Sequence, residues 1–324
     1  MTQLIHDPRK KAHGSAVGQL TTTARADRSE PTAEPWAFGA SRASQLSLGR
    51  VISYAILIVV FISVVYPLVW LVATSLKSDR DVFTRPFAFP APNELHWDNF
   101  ARAWTRGQFG EQFANSVILT AATVVLTTLL SAMAAYAISR FTFRGVRPVF
   151  FVFLAGLMLP LQQVIVPLFF EMRDLHLLNS RLGLLLVYVA LGLPFGIFVM
   201  TGFFKTQPTS LYESAIVDGA GELRAFFSVM LPLARPGLIT VAIFTFLGTW
   251  NEFLIAFMFL SGRGGETLRT LPLGLANLTI VGQYRSDWGM AFAGLVLMLA
   301  PVVVVCVTLQ RYITKGLTAG AVKG

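Results

Sequence analysis

Long apolar runs separated by short polar stretches dominate the sequence. Six runs are long enough to span a membrane: Val51–Leu76, Phe113–Ser139, Pro148–Phe170, Leu182–Phe204, Pro236–Gly262 and Trp288–Gln310. A helix needs roughly 20 apolar residues to cross about 30 Å of hydrocarbon. Only Glu252, in the fifth run, interrupts this set with a charge. The pattern predicts an all-α, polytopic membrane protein with six transmembrane helices and disfavours buried helices of a large soluble protein.

Composition agrees with this prediction. The chain is 54% hydrophobic and 13% charged, with a mean hydropathy of +0.63, whereas soluble domains are about a quarter charged. The net charge of +9 arises largely in a polar N-terminal tail and in short loops such as "SRFTFRGVR". Basic loops beside membrane spans mark the cytoplasmic side. We therefore expect both termini in the cytoplasm and no nucleic-acid partner.

The chain divides into a polar N-terminal part and a largely apolar remainder. Residues 1–45 are rich in Thr, Ser, Ala, Pro and charge, which is typical of disorder, so we predict a disordered cytoplasmic tail. Residues 46–324 are predicted to form the transmembrane domain. On the outer side, the connection Lys77–Gln112 contains prolines and several aromatic residues, which predicts an ordered loop with short helical pieces. Gly192-x-x-x-Gly196 predicts close helix packing.

A polar segment, residues 208–232, faces the predicted cytoplasm. Ser210 followed by Glu213 matches a capping box, and Asp218-Gly219 interrupts the helical pattern. A second helical run begins near Glu222 and places Leu223, Phe226, Phe227, Met230 and Leu231 on one face. The segment predicts two short helices joined at a glycine bend, with an apolar stripe that must be buried against lipid, neighbouring spans or a partner.

This segment resembles a known motif. Glu213-Ser214-Ala215, Gly219 and Val229-Met230-Leu231-Pro232 look like the "EAA" loop, E-A-A-x(3)-G-x(9)-I-x-L-P, of permease subunits of binding-protein-dependent ABC importers. Ser214 and Val229 are small departures from it. "AIVDGAG", "LPLARPG", "TWNEF" and "QRYITKGLTAGAVKG" are similar to the carbohydrate branch, and to its smaller maltose-type permease. The resemblance covers about residues 50–324.

The resemblance implies a type I ABC importer permease fold in the inner (plasma) membrane of a prokaryote. It implies that a coupling loop contacts a separate ATPase through Glu213, Ser214, Ala215, Asp218, Gly219, Ala220, Phe226, Leu231 and Pro232. The alternative is that Glu213 only caps a helix and Gly219 only ends one. The implied partners are a second permease, an ATPase dimer, an extracytoplasmic sugar-binding protein and membrane lipid.

No GxxxxGK[ST] or GxGxxG nucleotide motif occurs in the sequence. We therefore expect that this chain is not an enzyme, that it binds no cofactor, and that ATP and Mg are used by the partner ATPase. No metal-ligand spacing of histidines is present either.

Polar residues inside the spans are candidates for the translocation path. Intramembrane acids usually face a cavity or a partner, which singles out Glu252 and its neighbour Asn251. Glu252 is equally compatible with a position near the outer surface or a pair with a neighbouring subunit. Gln162 and Gln163 lie between Pro160 and Pro167, where prolines interrupt a helix and free backbone groups.

The sequence disfavours two other functions. A secondary transporter driven by an ion gradient would be expected to show repeated halves and several charged midplane residues. A membrane enzyme would need a catalytic constellation near a membrane face. The sequence contains one intramembrane acid, no evident repeat and no such constellation, so a sugar-importer permease is favoured over both.

Overall fold

The computed structural model describes residues 48–262, 264–281 and 287–321, and these residues form helices and connections without a strand. The predicted disordered tail, residues 1–45, lies outside the described residues. The chain divides into two compact units, Met1–Ile56 and Leu57–Gly324. In the first unit the described residues are the beginning of helix α1 (Leu48–Ser75). The second unit contains all the remaining helices.

Four long, apolar helices match four of the predicted spans. They are α1, α4 (Phe109–Arg140), α7 (Arg181–Thr206) and α14 (Trp288–Ala321). Each has the length and composition needed to cross a membrane.

The third predicted span is bent, and a second bend lies just before the start of the fifth. The third is made of α5 (Val146–Gly156) and α6 (Leu161–Asp174), which meet at 100°. Pro160 precedes α6 in an extended conformation, so the expected interruption of this span by proline is confirmed. In the other bent pair, the stretch Glu222–Leu233 meets α11 (Arg235–Trp250) at 77°.

The prediction of one helix over Pro236–Gly262 is wrong. Helix α11 ends at Trp250, and a separate helix, α12 (Leu254–Leu260), follows. Glu252 lies in the break, where its carboxylate accepts hydrogen bonds from the backbone N–H groups of Ile255 (2.7 Å) and Ala256 (3.1 Å). A side chain that accepts from the first N–H groups of a helix stabilises a new helix start at that point.

Small residues bring α4 and α7 together. A Cβ added at Gly196 would lie 2.6 Å from Ser131 Oγ, and one added at Gly192 would lie 2.9 Å from Thr127 Cγ2. The close packing predicted from Gly192-x-x-x-Gly196 is therefore confirmed, with α4 as the partner helix.

The connection Lys77–Gln112 is ordered, as predicted. Lys77 is buried and donates from Nζ to the carbonyls of Arg85 and Pro86, both at 2.9 Å. The buried Asn99 donates from Nδ2 to the carbonyls of Ser75 and Lys77. These bonds tie the connection to the end of α1. Its short helices are α2 (Asp79–Thr84), a 3₁₀ turn (Pro92–Glu94) and α3 (Asp98–Thr105).

The connection between α12 and α14 contacts α4. It contains a 3₁₀ turn (Glu266–Leu268) and α13 (Leu271–Val281). Asn115 of α4 donates from Nδ2 to the carbonyl of Thr267 at 2.8 Å, and Ser116 Oγ accepts from the N–H of Leu271 at 2.8 Å. Polar side chains near the beginning of α4 thus form hydrogen bonds with backbone groups that have no partner within a helix.

Candidate functional site

Segment 208–232 forms two helical pieces across a glycine bend, as predicted. The pieces are α8 (Thr209–Val217) and a run made of α9 (Glu222–Ala225), a π turn (Phe226–Met230) and α10 (Leu231–Leu233). Gly219 adopts φ +83° between them, a left-handed conformation that glycine reaches without steric cost. A Cβ built there meets nothing within 4 Å, so the bend is open on its outer side.

The predicted capping box is wrong. Pro208 occupies the N-cap position and makes no side-chain capping bond, and helix α8 begins at Thr209. Ser210 is therefore already inside the helix, so its hydroxyl and Glu213 cannot form the reciprocal pair. Proline at this position sets the helical start through its restricted φ. Glu213 is exposed and has no hydrogen bond or ion pair within the described part of the chain.

The nine residues predicted for the coupling loop divide by exposure. Glu213, Ser214, Asp218 and Gly219 are exposed, and Ala220, Leu231 and Pro232 are half-buried. Ala215 is buried, and Phe226 is 2% exposed. The outward surface of the loop is thus the end of α8 and the bend.

Phe226 anchors the loop in the core of this chain. Its ring lies 5.0 Å from that of Tyr136 and 6.4 Å from that of Phe204, centroid to centroid. The apolar stripe predicted for the second helix is consequently split: Phe226 and Met230 are buried in the chain itself, whereas Leu223 and Phe227 are exposed. Packing of the buried pair connects the loop to the ends of α4 and α7.

Sequence reasoning missed the part played by Glu222. Its Oε1 accepts a hydrogen bond from Tyr212 of α8 at 2.6 Å, and its Oε2 accepts one from Tyr136 of α4 at 3.2 Å. The hydrogen bond to Glu222 raises the pKa of Tyr212, with burial and the carboxylate charge acting in the same direction. One carboxylate thus joins both loop helices to a membrane span. An acid directly after the glycine bend was the only sequence signal, because Tyr136 is distant along the chain.

Glu252, the intramembrane acid, accepts three hydrogen bonds from groups of this chain. Besides the N–H groups of Ile255 and Ala256, it accepts a hydrogen bond from Tyr188 of α7, with Oε2 2.6 Å from the hydroxyl. Glu252 and Tyr188 line a cavity of about 360 Å³ between α7 and α11. The acid therefore faces a cavity, and its donors come from its own chain.

The four residues predicted for the translocation path are not brought together. Asn251, next to Glu252, lines a different cavity, of about 420 Å³, with residues of α13 and α14. Gln162 and Gln163 are exposed in the first turn of α6 and line neither cavity. Where a helix is broken, adjacent residues face different directions, and hydrophobicity patterns do not reveal this.

Comparisons with known proteins agree on the family to which the chain is similar. Residues 125–319 match the family model described as "Binding-protein-dependent transport system inner membrane component". The chain is 42% identical, over 83% of its length and 87% of the relative's, to the diacetylchitobiose uptake system permease protein NgcG of Streptomyces coelicolor. It is 34% identical, over 80% of its length and 92% of the relative's, to the trehalose transport system permease protein SugB of Mycobacterium tuberculosis.

A solved structure has the same fold. It is a bacterial ABC transporter involved in the import of the acidic polysaccharide alginate. One of its chains matches with a TM-score of 0.72 and 23% identity, over 85% of this chain and 99% of that one.

Proposed function

The chain belongs to the family of inner membrane components of binding-protein-dependent transport systems, and we propose that it carries sugars and couples to its ATPase through segment 208–232. It is a multi-pass membrane permease of an ATP-driven sugar importer with the type I fold, and not an ion-driven secondary transporter. It is not itself an enzyme, because ATP hydrolysis in this family is performed by a partner ATPase.

The cargo we propose is a short oligosaccharide. Relatives that match most of the chain are named for diacetylchitobiose, trehalose and melibiose, raffinose and stachyose. All of these are small, neutral sugars of two to four rings, which supports this class and leaves the individual sugar to experiment.

The observation that carries the coupling role is the free surface at the bend. Glu213 and Asp218 present carboxylates without a partner in the described residues, and Gly219 leaves open space beside them. A backbone without a Cβ admits close approach of another surface, and an exposed carboxylate is available to a basic residue. The ATPase dimer, using ATP and Mg, is the proposed occupant, which places this bend and both termini in the cytoplasm.

The remaining assignments follow from that orientation. A second permease completes the translocation path. The residues that this chain contributes to the path are Glu252, Asn251, Gln162 and Gln163. The binding protein docks on the outer connection, Lys77–Gln112. Membrane lipid covers the apolar outer faces of the spans.

Purification with the neighbouring gene products tests the assembly. The chain expressed together with its second permease and ATPase in mild detergent should retain the ATPase. Diacetylchitobiose, trehalose and maltose, each supplied with the binding protein, should be scanned for stimulation of ATP hydrolysis in liposomes. Stimulation by at least one of them is expected. Robust sugar uptake by liposomes that contain this chain alone would overturn the proposal, as would a complex that responds to no sugar.

A further inference from the structure

A polar stripe runs along one side of α11 and continues past its end. Thr245, Gly248, Thr249 and Glu252 occupy positions i, i+3, i+4 and i+7 in a mostly apolar span. Residues with this spacing share one helix face. All four line the cavity of about 360 Å³, so the polar side of the helix faces the cavity.

The two threonine hydroxyls in the stripe are unused. In membrane helices a threonine commonly satisfies its hydroxyl on the carbonyl one turn earlier, and Thr240 of the same helix does so, donating to Pro236 at 2.9 Å. Neither Thr245 nor Thr249 makes a side-chain hydrogen bond within the described residues. Both are half-buried at the cavity wall. A polar ligand in the cavity would supply the missing partners.

Aromatic rings also line the cavity. Tyr188 and Phe195 belong to α7, and Phe244 belongs to α11, with its ring centroid 5.3 Å from that of Phe195. Binding pockets for small molecules combine apolar and aromatic walls with a few placed polar groups, in volumes of about 300–1,000 Å³. A cavity lined by both rings and hydroxyls suits a molecule that has one apolar and one polar face.

Glu252 retains some capacity to bind a ligand. A carboxylate offers about four acceptor sites, and three are occupied by the Tyr188 hydroxyl and the N–H groups of Ile255 and Ala256. These three donors also hold the carboxylate in place. One acceptor position remains for a ligand hydroxyl, and the Tyr188 oxygen, which donates to Glu252, is still able to accept.

We propose that this cavity is a sugar-binding site carried by this chain. The C–H face of a sugar ring packs on Tyr188 and Phe195, and its hydroxyls bond to Thr245, Thr249 and Glu252. This inference rests on the proposed function, since it requires that the chain transport sugars. A lipid chain fits the facts less well, because it would leave the two threonine hydroxyls and the spare acceptor position unsatisfied.

Gly248 offers a sharp test. A Cβ added there meets nothing within 4 Å, so the first carbon of a Gly248→Leu side chain fits, and the remaining carbons occupy space at the cavity wall. Gly202→Leu in α7 is the matched control, because Gly202 is also helical, exposed and open within 4 Å but does not line the cavity. In the reconstituted full complex, Gly248→Leu should reduce uptake of the sugar that stimulates the wild type by tenfold or more. The control should transport normally.

Threonine variants test the hydrogen bonds separately. Thr245→Val and Thr249→Val keep the side-chain shape and remove one hydroxyl each, and Thr240→Val is the control in the same helix. Each cavity variant should raise the sugar concentration for half-maximal uptake by about threefold to tenfold, as expected for one lost hydrogen bond. ATPase retention and the maximal uptake rate should stay near wild type.

The outcomes distinguish failure of the proposed sugar site from failure of the proposed transport function. If the wild-type complex transports sugar and Gly248→Leu transports it equally well, the site is overturned while the function stands. Loss of the second permease from the Gly248→Leu complex would identify the cavity as a subunit interface and overturn the site. Loss of uptake in Gly248→Leu with unchanged half-saturation in both threonine variants would indicate an apolar occupant and overturn it too. A wild type that transports no sugar overturns both proposals.

Discussion

Substitution of Gly219 tests whether the bend docks into a crowded partner surface. Its φ of +83° strains most residues that have a Cβ by about 1–2 kcal/mol. This strain lowers the population of the bend by a factor of roughly 5–30. Within this chain the added side chain would meet no atom within 4 Å of its Cβ. Gly219→Ala and Gly219→Leu therefore share the strain and differ in what the larger side chain meets in the ATPase.

Three variants separate strain from contact. Alanine adds strain with little bulk, leucine adds both, and asparagine adds bulk with little strain because it tolerates the left-handed region. Overfilling a packed contact costs about 1–3 kcal/mol, so Gly219→Leu should lose a further fivefold to hundredfold in ATPase association relative to Gly219→Ala. Gly219→Asn should resemble leucine more than glycine.

The assay is ATPase retention on purification together with sugar-stimulated ATP hydrolysis in liposomes. The amount of this chain in the membrane is the control and should change little, because the spans are remote from the bend. Normal transport by Gly219→Leu would refute the docking surface. If Gly219→Asn restored function fully while Gly219→Ala failed as badly as leucine, backbone strain alone would explain the glycine.

The remaining predictions concern the loop and the outer face. Because Glu213 caps no helix among the described residues, Glu213→Gln and Glu213→Ala should weaken ATPase retention equally. Full rescue by glutamine would show that the charge of Glu213 is irrelevant. Tyr212→Phe and Glu222→Ala should each reduce sugar-stimulated ATPase activity with the ATPase still bound. The double variant should be no worse than Glu222→Ala, since both single changes remove the same bond, of about 1.5–3 kcal/mol for a charged acceptor; additive losses would exclude a shared role. Cysteines at the exposed Asn93 and Asp98 should cross-link to the binding protein, and failure of both with unaltered uptake after shortening of the loop would remove that docking face.

Much of the architecture follows from local sequence. Continuous apolar runs require helices because unpaired backbone groups are too costly in hydrocarbon, so four of the six spans were correctly predicted as continuous helices. Proline and glycine act on their own backbone, so the interruption at Pro160 and the bend at Gly219 were also predictable. The loop motif was recognisable because its residues are contiguous.

The errors concern places where a competing local contact decides the outcome. Ser210 and Glu213 have capping-box spacing, yet Pro208 starts the helix earlier. The apolar run after Pro236 predicts one helix, yet the Glu252 carboxylate accepts from the first turn of a second helix, which begins at Leu254. In both cases two local rules conflict, and sequence spacing does not tell which one prevails.

The sequence by itself determined that this protein spans a membrane, roughly where its spans lie, and which segment carries the coupling motif, since all three depend on residues near one another in the chain. Tertiary structure alone decided which polar groups meet. Tyr136 reaches Glu222 across 86 positions, and Tyr188 reaches Glu252 across 64. It also decided that Asn251 and Glu252 line different cavities. Such contacts depend on how helices distant in sequence pack together, and hydropathy patterns record only the burial of a face, not the neighbour that buries it.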